Sequence, residues 1–120
     1  MSIAKSELFN IMLKSQSRMS LQQRTVWSAI NITLSKWQIS LEGDAENSFW
    51  AVGILGQRVL WYNDVEGGFN NSHYFQYGVI GEYFTAKDTL EDAVQKLIWY
   101  TESGGAPLFS GPPRTLDQYD

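Results

Sequence analysis

Between Trp61 and Asn70 the chain reads Trp-Tyr-Asn-Asp-Val-Glu-Gly-Gly-Phe-Asn, which sets four amide or carboxylate side chains beside three aromatic rings. Oxygen donors at that density suit three tasks: holding a hard cation, hydrogen-bonding a sugar, or meeting a basic surface on a partner. His73, Tyr74, Tyr77 and Glu82 follow and extend the set. A calcium or magnesium cage fits worst, because the block lacks the alternating Asp/Asn ligands ahead of a Gly and the distal Glu of an EF-hand. The same residues also describe a turn, with Asn63 and Asp64 bonding nearby amides and Gly67 and Gly68 supplying positive φ. Both readings are open at this point. As a site, the block predicts binding by Trp61, Asn63, Asp64, Glu66, Phe69, Asn70, His73, Tyr74, Tyr77 and Glu82, with no metal and no cofactor.

Catalytic sets are incomplete. A hydrolytic triad has to use His73, the single histidine, with Ser72 or Ser48 as nucleophile, and no Gly-x-Ser-x-Gly elbow is present. Glu66 and Glu82 form an acid/base pair only if a cleft brings them together and raises one pKa. Gly53-x-x-Gly56 lies inside a hairpin pattern and precedes no helix, so it is no phosphate loop. The expectation is therefore not an enzyme, with a small hydrolase on Glu66, Glu82 or His73 as the weakest alternative.

These residues need elements to position them. Ala51–Leu55 and Arg58–Tyr62 flank Gly56-Gln57 and predict a hairpin over 49–55 and 58–64. A plain two-residue register places Trp50, Val52, Ile54, Val59 and Trp61 on one face and Phe49, Ala51, Leu55, Leu60 and Tyr62 on the other. Both faces are apolar, so something must cover each. Trp37-Gln-Ile-Ser-Leu41 alternates and predicts a strand over 37–42, and Tyr77–Phe84 a further strand over 77–84. Asp88 as cap with Glu91 three residues on, then Leu90, Ala93, Val94, Leu97 and Ile98 at helical spacing, predicts a helix over 88–101. Helices over 6–15 and 20–30 follow from Leu8, Phe9, Met12 and Leu13 and from the Ser20/Gln23 capping box. Ile30, Ile32 and Leu34 also alternate, so the second helix has an ambiguous end. The whole predicts one α+β domain over 1–103, an antiparallel sheet of about four strands, and a Gly/Pro-rich tail over 104–120 that is either disordered or laid on the body by Leu108, Phe109, Leu116 and Tyr119.

With 120 residues, 43% of them hydrophobic, one core is expected. No apolar run approaches the roughly 18 residues of a membrane span, and Met1–Gln16 has no signal-peptide pattern. Without a secretory route, the Asn-x-Ser/Thr triplets at Asn31 and Asn70 are chance matches. The absence of cysteine removes disulfides and thiolate chemistry and fits a cytoplasmic location. Nine Lys and Arg against thirteen Asp and Glu give −4, which disfavours nucleic acid as a partner.

The Trp61–Asn70 block resembles a group of small bacterial proteins of uncharacterised function, whose pattern is an aromatic pair, Asn-Asp or Glu-Asp, Ile or Val, Glu, a variable residue, then Gly-Phe-Asn. Those proteins have an Arg-bearing helix upstream, similar to Gln22-Gln-Arg24. Downstream they carry Glu and an aromatic pair, then Cys-Asn-Gln-Asp-Glu-Leu. Here the matching stretch is Glu82-Tyr-Phe84 and Thr85–Leu90, with Asp88 and Leu90 kept and Cys, Asn and Gln replaced. The resemblance implies a bacterial cytoplasmic protein and no particular activity. By composition the chain is also similar to immunity proteins of toxin systems. The expected function is thus a non-catalytic protein-binding domain masking a basic partner. The alternative is small-molecule or carbohydrate binding by the 61–73 loop.

Overall fold

The computed structural model describes residues 3–39 and 48–103. In chain order these form α1 (Lys5–Arg18), α2 (Leu21–Ile30), β1 (Asn31–Gln38), β2 (Ser48–Leu55), β3 (Arg58–Asn63), β4 (Gly68–His73) and α3 (Leu90–Glu102). The strands make one antiparallel sheet in the order β1-β2-β3-β4. All three helices lie on one sheet face. Leu8 and Met12, Trp27 and Ile30, and Leu90, Ala93, Val94, Leu97 and Ile98 pack there against Val52, Leu60, Tyr62 and Phe69.

Local signals explain most of this. Ser20 and Gln23 form the full reciprocal cap that starts α2. The cap of α3 lies one residue later than expected, since Thr89, not Asp88, accepts from the Asp92 amide. Asp88 instead pairs with Lys96 at 2.7 Å. Glu91, expected to reach back to the cap, is held by Arg18 and Ser15 of α1 and so ties α3 to that helix. The chain leaves the helix at Asn31, so the alternation of Ile32 and Leu34 is strand, and β1 begins six residues before the expected 37–42. Residues 40–42 of that expectation, and the tail 104–120, lie outside the described residues.

Two expectations about the sheet fail for physical reasons. The hairpin register runs Leu55 to Arg58 and Ile54 to Val59 as expected, but then slips: Gly53 pairs with Leu60, Ala51 with Trp61 and Trp50 with Tyr62. Val52 and Gly53 form a bulge, and both turn toward the helices. A Cβ on Gly53 would sit 3.2 Å from Ile30 O and from the Trp27 ring, so the second bulge residue must be the one without a side chain. The slip sends Trp50 and Val52 to the helix face and leaves Phe49, Ala51, Ile54, Val59 and Trp61 on the other.

The strand expected over 77–84 is not one. The fourth strand is Gly68–His73, the stretch expected to be loop, and 77–84 is irregular chain. Residues 74–88 form a strap that returns along β4. Tyr74 N donates to Gln57 O, Gly81 N to His73 O, and Phe69 N to Asp88 O. Near its start the strap also meets the far edge of the sheet, where Gln38 N donates to Gly78 O and Ile80 N to Gln38 O. Ile80 and Tyr74 thereby seal Trp37, Phe49, Ala51, Val59 and Trp61 on the second face.

Candidate functional site

The Trp61–Asn70 block holds the strap and the N-terminal segment in place. Asn63, with no exposed surface, spends its whole amide on the fold. Its Nδ2 donates to Phe84 O at 2.9 Å and to Tyr83 Oη at 3.1 Å, while Oδ1 accepts from Val65 N and Glu66 N. Asn70 is buried too. It clasps Ala86 from both ends of its amide, accepting from the backbone N–H at 2.9 Å and donating to the carbonyl at 3.1 Å. Ser72 accepts from Trp61 Nε1 and donates to Glu82 O. Three side chains of the hairpin thus fasten the strap where backbone pairing is sparse, as buried polar groups must be satisfied.

The Gly-Gly pair divides its labour. Gly67 has φ 83°, and its amide closes the turn on Asn63 O at 2.7 Å. Gly68 lets the strap lie directly on β4, for a Cβ there would fall 2.3 Å from Lys87 Cα and 2.6 Å from Ala86 O. Phe69 is buried against Tyr62, ring centroids 4.8 Å apart. Burial, with Asp64 and Glu7 nearby, raises the Tyr62 hydroxyl pKa.

The two carboxylates of the bend differ. Asp64 is half-buried and accepts from Ile3 N at 2.8 Å, while Ile3 O accepts from Trp50 Nε1, so Asp64 pins the segment that leads into α1. Glu66 is half-buried, and its carboxylate has no partner among the described residues. At the other end of β4, Glu82 accepts from His73 N at 2.9 Å and lies 3.9 Å from the Arg58 guanidinium. Six strand residues, about 16 Å of extended chain, separate the turn holding Glu66 from the end that Glu82 meets. The structure therefore does not bring these two carboxylates together. Nor does it free Ser72, whose hydroxyl is doubly engaged, while the His73 ring packs edge-on against Phe75 at 4.5 Å. Among the described residues no three His, Asp or Glu side chains converge on a metal-sized space.

Comparison with protein-family models, curated proteins and solved structures finds no match for this chain.

Surface aromatics lie on the strap. Phe75 is 86% exposed and Tyr77 67%, and Tyr83 is nearly half exposed. Contacts with the body of the domain support the strap around them. Tyr74 donates its hydroxyl to Gly56 O and stands edge-on to Trp37 at 5.1 Å, Tyr77 lies over Trp37 at 4.8 Å, and Tyr83 leans on Phe49 and Trp61. Phe75 was outside the expected binding set. Its signal was its position in a segment without strand periodicity, where an aromatic has no face to hide on. Trp61 and Phe69 are buried and offer nothing to a sugar or a protein.

Beneath the strap, Ser35 Oγ and Trp37 Nε1, two positions apart on β1, are buried without a hydrogen-bond partner among the described residues. Charge is distributed unexpectedly. The described residues hold eight Lys and Arg and eight Asp and Glu. The negative excess comes from Glu42, Asp44 and Glu46 and from the Arg114, Asp117 and Asp120 stretch, all outside them. Within that balance the bend carries Asp64 and Glu66 and no Lys or Arg.

Proposed function

We propose that the chain is a non-catalytic protein-binding domain whose contact surface is the strap, covering a basic partner in a bacterial cytoplasm as an immunity protein does. One observation carries this reading: Phe75 and Tyr77 project from a backbone already fixed by Tyr74, Gly81 and Ile80, so presenting them costs little further ordering. Exposed rings on a rigid base are what contact hot spots are made of. Glu82, which accepts from the amide of His73 while the His73 ring meets Phe75, supplies an acceptor for an Arg or Lys of the partner. Among the described residues no helix is long and apolar enough to cross a membrane, which accords with the proposed location.

The test is affinity capture with the native chain and with Phe75→Ser/Tyr77→Ser, both checked for folding by circular dichroism. A basic protein held near one-to-one by the native chain and released by the variant supports the reading. Equal retention by both counts against it, as does a saturable response to oligosaccharides with no protein partner.

A further inference from the structure

A second surface lies on the helix side, away from the strap. A furrow of about 1090 Å³ runs between α1 and the junction of α2 with β1. Its walls are Phe9 and Leu13 on α1, Trp27 on α2 and Leu34 on β1. Phe9 and Leu13 are 52% and 48% exposed, so one flank of α1 is left uncovered by the described residues. The charges in this lining are Lys5 and Arg24, with no Asp or Glu among them. Neither joins an ion pair among the described residues, whereas Arg18, Arg58 and Lys96 all do.

We propose that this furrow receives an acidic amphipathic helix of a protein partner. The charge pattern selects acidic flanks, since Lys5 and Arg24 border an apolar floor with no carboxylate against either among the described residues, Lys5 lying only over the Trp50 ring at 5.9 Å. The shape selects a helix over a strand. The furrow follows α1 from Lys5 to Ser17, about 18 Å of axis or roughly three turns. Ser6, Phe9, Leu13 and Ser17 fall at three- and four-residue spacing, two large residues between two small ones, which admits a crossing helix closely. An added strand would need a regular edge, and β1 is broken by a register shift between Asn31 and Ser35.

The probe is a 14-residue capped peptide with Leu along one helical face and Glu on both flanks, titrated into the full isotope-labelled chain. Saturable amide shifts confined to Phe9, Leu13, Ser28 and Leu34 are expected. Lys5→Glu/Arg24→Glu should weaken binding at least tenfold at low salt, Phe9→Ser/Leu13→Ser should abolish it with unchanged circular dichroism, and Phe75→Ser should leave it intact. That last variant separates this surface from the strap. The proposal is overturned by equal binding of a Lys-flanked isomer, an order-scrambled peptide or dodecanoate, or by no saturation up to about 1 mM. It also falls if protein concentration alone moves the same signals, which means a second copy. Peptide binding seen only with Leu108→Asp/Phe109→Asp would put the chain's own tail in the furrow and overturn it too.

Discussion

The two faces of the sheet are closed by different means. On one, three helices with internally satisfied backbones bring apolar stripes, and closure is a matter of area and volume. On the other, fifteen residues of mostly irregular chain do the covering, and their backbone groups need partners that no ladder supplies. Asn63, Asn70 and Ser72 provide those partners. A face covered by loop therefore depends on a few polar residues at fixed positions. A face covered by helices spreads the same task over many interchangeable apolar ones.

Breaking the strap face at its tightest contact should have the largest effect. Gly68→Ala drives a Cβ into Lys87 and is expected to cost about 3 kcal/mol or more, read as a shift in the urea midpoint together with altered near-ultraviolet dichroism from Trp61 and Tyr83. A loss under about 1 kcal/mol would show that the strap is loosely held. On the helix face, Leu8→Ala should cost about 3 kcal/mol and Leu8→Met less than about 1.5, because volume is what matters there. Asn63→Asp keeps size but removes both donors to the strap, and about 2 kcal/mol should be lost despite the conserved shape. If Asn63→Asp proves as mild as Leu8→Met, the contrast between the faces disappears.

The junction of α1 and α3 responds to pH. Burial works to raise the Glu91 carboxyl, but hydrogen bonds from Arg18 and Ser15 outweigh it and hold the group at about 2, below its ordinary 4.5. A carboxyl lowered on folding contributes stability above its unfolded pKa and loses it as the pH falls toward the folded value. Stability should therefore decline between about 4.5 and 2, and Glu91→Gln should flatten that limb of the pH profile. Smallest of all, Phe75→Ser should change stability by no more than about 0.5 kcal/mol, since the ring covers almost nothing.

The helices, the central hairpin and the α+β class were legible because capping boxes and apolar stripes act over short range. Gly53 was the available sign of the bulge, as a glycine inside a strand pattern often is. A simple hairpin register also accounts for both apolar faces, so the glycine alone does not decide between the two. Gly68–His73 carries Asn, Asn, Ser and His, which lower strand propensity, yet it pairs along its whole length with β3 because the turn at Asn63 delivers it there. The 77–84 stretch has the composition of a strand but meets β1 at Gln38 alone, through Gly78 and Ile80. In the candidate site, residue type alone could not separate a latch from a ligand contact. Asn63 and Asn70 look identical in either role, and only the position of the strap decides.

Both margins of the sheet are occupied or irregular: β4 lies under the strap, and β1 is interrupted by its register shift and crossed near its end by Gly78 and Ile80. Neither offers an incoming chain an unbroken row of amides on which to propagate cross-β growth. A molecule that displays bare rings to solvent is thereby spared the usual penalty of such display, which is fibre seeding at high cellular abundance.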